Sequence, residues 1–476
     1  MLMTDEFSLE ESAGTRSAFN RVVLDFANGF LESLEDQKAY SNRKSSLAEA
    51  DDWLGIDDSP TSLEQILDDF REHVVDRGLN PASGGHMGYI PGGGIYSAAL
   101  GDYLAAVTNR YAGVFYASPG AVAMEEALIR WAGNLVGYDG GFGGNLTSGG
   151  SMANLIALAT ARTQKGIHAG NVRQSVIYCT PQTHHSIHKA IAFLGLQECL
   201  LREIGVDEKF RLSVPALRAR MAGDVQKGLS PFMVVANAGS TDTGAIDPLH
   251  QIHELCEAYS AWFHIDAAYG GFFMLTKLGK DRLSGLGYAD SVILDPHKGL
   301  FLPYGSGIVL VKKLKHLLDA NRYNANYMQD ALNADRHSPA DLSPELSKHF
   351  RGMRMWLPLK LYGVGVFSEY LNEKLQLARY LYGQLQKLGF NVLCEPELSV
   401  VVFRYEVGPG GHDTLNKAIL EALLKDGRVF ISSTILQGRY TLRAAILSFR
   451  THKKEVDVLL ELLQQITSEL TGDGHR

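Results

Sequence analysis

The chain has 476 residues, 45% hydrophobic and 21% charged, which suits a soluble globular protein of two or three structural units. Its 45 Lys and Arg against 53 Asp and Glu give a net charge of −8 with no basic stripe, so neither nucleic acid nor an anionic membrane is expected as a partner. No apolar run approaches the ~18 residues of a membrane helix, and the acidic start lacks the apolar core of a secretory signal.

In chain order, Phe19, Val22, Val23, Phe26, Phe30 and Leu34 recur at helical spacing and predict an amphipathic helix, with a second over 62–75. Many of the 49 glycines cluster, first in GGHMGYIPGGG (84–94), and such clusters mark tight turns or close backbone approach to a ligand. From about 145 to 313 strand-like and helical runs alternate. QSVIYCT, FMVVANAG, AWFHIDAA, DSVILDP and GIVLVKK are short and rich in Val and Ile, as buried parallel strands are. After Ala245, Asp247 can cap a helix with Pro248 in its first position, running to Ser260. This rhythm predicts an α/β fold with a mostly parallel sheet. Beyond Tyr362 it changes. Phe367, Leu371, Leu375, Ala378, Tyr382 and Leu385 form a long helical stripe that Gly389 can end, and mixed strands and a last helix near 453–470 follow. The expected division is an N-terminal helical segment over 1–92, a large α/β domain over 93–362 and a small α+β domain over 363–476.

The four cysteines (Cys179, Cys199, Cys256 and Cys394) are scattered without a CxxC pair, which is neither a disulfide framework nor a zinc site and suits a reducing cytoplasm. Chemistry gathers elsewhere. TSGGSMANLIALATAR (147–162) is a turn leading into a helix, with Ser148 or Ser151 placed to cap it. Small residues there let backbone N–H groups converge on an anion, although a plain capped turn has the same pattern. HIDAAYGG (264–271) puts Asp266 at the end of a buried strand, where a carboxylate needs a cation or strong donors. THHSIHKA (183–190) places His184 and His185 after another strand, and SVILDPHKGL (291–300) places Lys298 after a third. An amine, a carboxylate, an imidazole and an anion-binding turn at neighbouring strand ends are the set that pyridoxal 5'-phosphate requires.

These blocks resemble the group II pyridoxal-phosphate-dependent amino-acid decarboxylases over nearly the whole length, to YTLRAAILSFRTHKKEVD (440–457). The resemblance implies a fold-type I architecture with a seven-stranded sheet, a homodimer with active sites at the subunit boundary, and conversion of an L-amino acid to its amine and carbon dioxide. DPHKGL then makes Lys298 the lysine that carries the cofactor, HIDAAYGG makes Asp266 the partner of the pyridine nitrogen, and His184 becomes the imidazole stacked on the ring. TSGGSMAN supplies Gly149, Gly150 and Ser151 to the phosphate, and AGSTDTGAIDP supplies Ser240 and Thr241. Ala268, Asp295 and His297 complete the expected cofactor contacts.

Two features bear on the outcome. Many family members carry a proton-donating tyrosine on a loop after the cofactor domain. The matching stretch, MQDALNADRHSPADLSPELSKHF (328–350), has none, and His337 is the one residue in its middle able to donate near neutral pH. Tyr89, Ile90 and Pro91 fall where the family forms its substrate pocket, and their apolar character favours aromatic or bulky neutral amino acids; the stretch YAGVFY (111–116) could contribute from a neighbouring subunit. The alternatives are oxidative deamination to an aldehyde, another reaction of the same cofactor such as transamination, a hydrolase built on Ser151, Asp266 and His297, and a cofactor-holding protein without catalysis.

Overall fold

The first helix of the computed structural model, which describes residues 9–43, 53–56, 58–322, 336–408 and 410–472, covers Ala13–Glu32 and is capped by the Ser12 hydroxyl. None of its residues is buried, and Phe19 and Val23 are 45% and 44% exposed. The helix Leu63–Phe70 follows, capped by Ser62, and continues as a π-helical turn over Arg71–Val75. A short ladder of β1 (Tyr40–Ser41) and β2 (Gly78–Leu79) closes this segment.

The apolar runs of the middle region form one sheet of seven strands: β3 (Gly143–Thr147), β4 (Ser175–Cys179), β5 (Leu200–Glu203), β6 (Ser230–Asn237), β7 (Trp262–Asp266), β8 (Ser291–Leu294) and β9 (Gly307–Val311). The spatial order is β3-β9-β8-β7-β6-β4-β5, and β9 alone among the seven runs against its neighbours. Helices cover both faces, so alternate residues of one strand enter different cores. Ile308 and Leu310 of β9 join one cluster with Phe263 and Ile265, whereas Val309 and Val311 join another with Ile156 and Ile177. This is the α/β, fold-type I arrangement expected from the sequence.

The long stripe after 351 forms Gly352–Lys387, broken where Gly363 adopts φ 72 and ψ 160. A smaller antiparallel sheet follows, ordered β10 (Asn391–Val392), β11 (Val400–Arg404), β13 (Arg439–Ala445) and β12 (Ser432–Leu436), with helices His412–Asp426 and Lys453–Thr471 packed against it.

The glycine-rich segment is fastened to this C-terminal part. Met87 exchanges backbone hydrogen bonds with Phe430 (2.8 Å) and Ala445 (2.7 Å), and Phe430 N–H donates to Gly85 O (2.9 Å). Arg443 donates to Tyr89 O (2.7 Å), Arg450 to Gly93 O (2.7 Å) and Thr451 Oγ1 to Gly84 O (2.6 Å). The turn that carries Arg450 and Thr451 is itself held by Lys374, whose fully buried side chain donates through its ammonium to Thr451 O and Phe449 O. Among the described residues no helix is long and apolar enough to cross a membrane.

Candidate active site

Because β3, β4, β6, β7 and β8 point the same way, the segments leaving them meet at one edge of the sheet, where open α/β sheets bind ligands. β7 ends on Asp266. β8 leads through Asp295 to Lys298 on the short helix Pro296–Gly299, and β4 leads to His184, the N-cap of His185–Phe193. β3 leads to Gly149, which starts the helix Gly150–Gln164.

These side chains line a cavity of about 260 Å³. Gly149, Gly150, Ser151, His184, Thr241, Asp266, Ala268, Asp295, His297 and Lys298, all expected from the sequence, are on its wall. Ser240 is not; its hydroxyl lies 2.8 Å from Thr243 Oγ1 and accepts from Ala245 N–H, which shapes the loop that carries Thr241. Tyr89, Ile90 and Pro91 also lie off this wall, with Ile90 buried and Tyr89 61% exposed. The neighbouring glycines 92–94 line a second, more apolar cavity of about 450 Å³, which shares His297 with the first and adds Phe30, Val74, Leu302 and Tyr304. A side-chain carbon at Gly92 would collide with the carbonyl of His297, so only glycine lets this segment lie against the Lys298 helix. His337 sits outside both cavities, its Nε2 3.8 Å from Glu126 Oε1 on the helix Pro119–Val136. Residues 328–335 of its loop lie outside the described residues.

Lys298 Nζ lies 3.0 Å from Asp295 Oδ2, and the other oxygen of this buried carboxylate has no hydrogen-bond partner among the described residues. Asp266 is held from two sides: Oδ1 accepts from Ala268 N–H (3.1 Å) and Oδ2 from Asn154 Nδ2 (3.0 Å). His184 Nδ1 faces Ser186, accepting from its backbone N–H (3.3 Å) and lying 2.8 Å from its hydroxyl. Burial pulls the His184 imidazole below its ordinary value, against the attraction of Asp266; burial likewise lowers His297, against Asp295. His297 gives its Nδ1 hydrogen to the carbonyl of Ser306 and Asp266 is engaged by Asn154, so the hydrolase constellation of Ser151, Asp266 and His297 is not assembled.

The turn differs from the sequence expectation in an instructive way. Neither Ser148 nor Ser151 caps the helix; the N-cap is Gly149, without a side-chain cap. The first N–H groups of a fifteen-residue helix therefore face the cavity beside the Ser148, Ser151 and Thr241 hydroxyls, an anion cradle at a positive dipole end. Asp247 departs likewise: it is buried with its oxygens on Leu212 N–H and Asn237 N–H (2.7 Å each), so Pro248 becomes the N-cap of Leu249–Ala258. An amine, a carboxylate, an imidazole and an anion cradle around one cavity fit pyridoxal phosphate. Sequence reasoning overlooked Asn154, Ser186, Asn237, Gly239 and Tyr269, which also line the wall. For Asn154 the signal was present, a polar residue on the face that Ala153, Ala157 and Ala161 bury.

Comparison with known proteins gives the same answer. Residues 49–406 match the pyridoxal-dependent decarboxylase conserved domain. The chain is 32% identical over 392 residues, 81% of each protein, to an aromatic-L-amino-acid decarboxylase of Bacillus atrophaeus. It is 25% identical to a phenylacetaldehyde synthase of Arabidopsis thaliana, over 95% of this chain and 96% of that one. Its fold superimposes on Oryza sativa TDC, crystallised with PLP and tryptamine, with a TM-score of 0.91 at 23% identity, covering 98% and 99% of the two chains. The chain belongs to the group II pyridoxal-phosphate-dependent decarboxylase family and is a pyridoxal-phosphate-dependent amino-acid decarboxylase.

Proposed function

We propose that the protein decarboxylates an aromatic or bulky neutral L-amino acid to its amine. The observation that carries this reading is the convergence of Lys298, Asp266 and His184 on one cavity floored by an uncapped helix N-terminus. When bound, the cofactor supplies an electron sink for the pair left on Cα as carbon dioxide departs. Lys298 would hold it, and Asp266, fixed by two donors, would face its ring nitrogen. His184 would keep the ring plane, and Gly149, Gly150, Ser151 and Thr241 would hold its phosphate. The second cavity, joined through His297 and walled by Phe30, Val74, Leu302 and Tyr304, suits an uncharged side chain better than a carboxylate.

The reading extends to assembly. The exposed apolar stripe of Ala13–Glu32 supports a homodimer formed through residues 1–92, with 93–362 as the cofactor domain and 363–476 as the small domain that begins at the Gly363 break. Four free thiols without a disulfide support a cytoplasmic location.

A second outcome is favoured by the absence of a tyrosine from 328–350 and by the similarity to a phenylacetaldehyde synthase. Without a proton donor at Cα the net reaction would turn oxidative, the amino acid, dioxygen and water giving aldehyde, carbon dioxide, ammonia and hydrogen peroxide. The test is a panel of amino acids assayed for carbon dioxide, amine and peroxide, with and without oxygen. Amine without peroxide from an aromatic substrate is the expected result. Peroxide in step with carbon dioxide would instead establish the oxidative outcome, and carbon dioxide from glutamate alone would overturn the substrate class.

A further inference from the structure

Behind Asp266 runs a chain of buried polar groups that no surface requirement explains. Trp262 Nε1–H donates to Ser291 Oγ (2.9 Å), which lies 2.8 Å from His264 Nδ1. His264 Nε2 lies 2.9 Å from Asn154 Oδ1. Asn154 Nδ2 then donates twice, to Asp266 Oδ2 (3.0 Å) and to Ser186 Oγ (2.9 Å), and Ser186 meets His184. Trp262, Ser291, His264, Asn154 and Ser186 are all 2% exposed or less.

The ends of the chain dictate its direction. An indole N–H can only donate and a carboxylate can only accept. Burial pushes His264 down to about 4, so its ring is neutral and carries one N–H. Asn154 must turn its amide N–H₂ toward Asp266, which leaves Oδ1 as the acceptor of His264 Nε2–H. His264 Nδ1 then accepts from the Ser291 hydroxyl, whose lone pair is taken by Trp262. On the other branch Ser186 accepts from Asn154 and donates to His184 Nδ1, which leaves the His184 hydrogen on Nε2. Without the His264 hydrogen, Asn154 Oδ1 loses its donor, and the amide is held only by Asp266 and Ser186 on its nitrogen side.

We propose that Asn154, oriented by His264, is the positioning residue that presents Asp266 as an acceptor to the cofactor and fixes the Nε2–H tautomer of the His184 imidazole stacked on it. The inference rests on the roles given to Asp266 and His184 under the proposed function. One amide therefore sets the acceptor facing the ring nitrogen and the tautomer of the stacked imidazole, and its orientation is written from Trp262 at the opposite end of the strand that carries Asp266.

The test compares His264→Leu, which removes the locking hydrogen, with His264→Gln, whose amide can donate to Asn154 and accept from Ser291. Apoprotein is titrated with pyridoxal phosphate, and the dissociation constant and the ratio of the bound cofactor's absorption bands are read. His264→Leu should weaken binding about tenfold or more and change the band ratio, whereas His264→Gln should stay within about threefold with the wild-type ratio. Unchanged affinity and bands in His264→Leu, with only a lower melting temperature, would overturn the proposal, as would equal damage in both variants. Should His264→Leu fail to fold, ¹⁵N spectra of the wild-type holoenzyme, assigned through His264→Gln and His184→Gln, decide the matter. Neutral Nε2–H tautomers at both histidines are expected, and an Nδ1–H tautomer at either overturns it. Asp266→Asn separates the two levels: bands that move there but not in His264→Leu remove the relay alone, and bands that move in neither remove the role of Asp266 as well.

Discussion

At Asp295 one carboxylate oxygen meets the Lys298 ammonium and the other meets no hydrogen-bond donor among the described residues, in surroundings that leave the residue 2% exposed. Taking away one member of a buried pair costs more than the pair contributes, because a charge is left uncompensated. Lys298→Ala should therefore destabilise the apoprotein by about 3 kcal/mol, and Asp295→Asn in the same chain should return most of it, as read by urea unfolding without cofactor. Equal stabilities would mean that the pair is already screened. His264 yields a pH prediction whose sign follows from its depressed value. The unfolded chain takes up a proton near the ordinary histidine value, and the folded one only at about 4, so between the two the unfolded state binds more protons and acid favours unfolding. Stability carried by neutral His264 is present above that window and is lost as the pH falls through it. His264→Gln should thus lose less stability than wild type on acidification from about pH 6.5 to about 4, measured as the difference between the two unfolding curves.

Among the elements, the glycine segment 84–94 explains its own composition. Gly92 is pressed against the His297 carbonyl, whereas Gly94 has φ 66 and a side-chain carbon there would meet Pro303 only at ordinary contact distance, 3.9 Å. Gly92→Ala should cost about 1–3 kcal/mol and weaken cofactor binding, and Gly94→Ala only about 1 kcal/mol from its backbone conformation. Reversal of that order would show that the close approach is not the constraint. Five of the seven strands of the large sheet were legible in the sequence because burial on both faces leaves Val and Ile at many positions, as in SVILDP and GIVLV, whereas GGNLT of β3 and LLRE of β5 contain neither residue and were not read. Lys298, Asp266 and His184 were legible for a related reason: ionisable residues directly after such runs stand where a parallel sheet opens. The caps were not. Ser148 and Ser151 have the right chemistry for capping, yet the helix starts on Gly149 with its N–H groups left toward the cavity. Asp247 also has cap chemistry, but the competing N–H groups of Leu212 and Asn237 come from elements distant in sequence. Asn154 and His264 were missed because a helix asparagine and a strand histidine acquire meaning only when the two elements pack.

For the whole molecule, the unburied helix Ala13–Glu32 is the feature that a single chain leaves unexplained. Phe19, Val23 and Leu24 are each close to half exposed on it, and Phe26 meets Phe70 with ring centroids 5.9 Å apart. If this face joins two copies, sedimentation should give a dimer for the wild type and a shift toward monomer for Phe19→Asp with Val23→Asp, with activity falling in parallel. A fully active wild-type monomer would defeat that reading. The stitching of 84–93 to Phe430, Arg443, Ala445, Arg450 and Thr451 has a consequence for recombination between relatives. Residues some 350 positions apart in sequence are joined by backbone and side-chain hydrogen bonds, so the heritable unit of the second cavity is not a contiguous stretch. A chimera that exchanges 84–94 alone would inherit its hydrogen-bond partners from the wrong parent. Crossovers should keep 84–94 and 428–452 from the same parent, and libraries built that way should return more folded members than libraries cut at either segment alone.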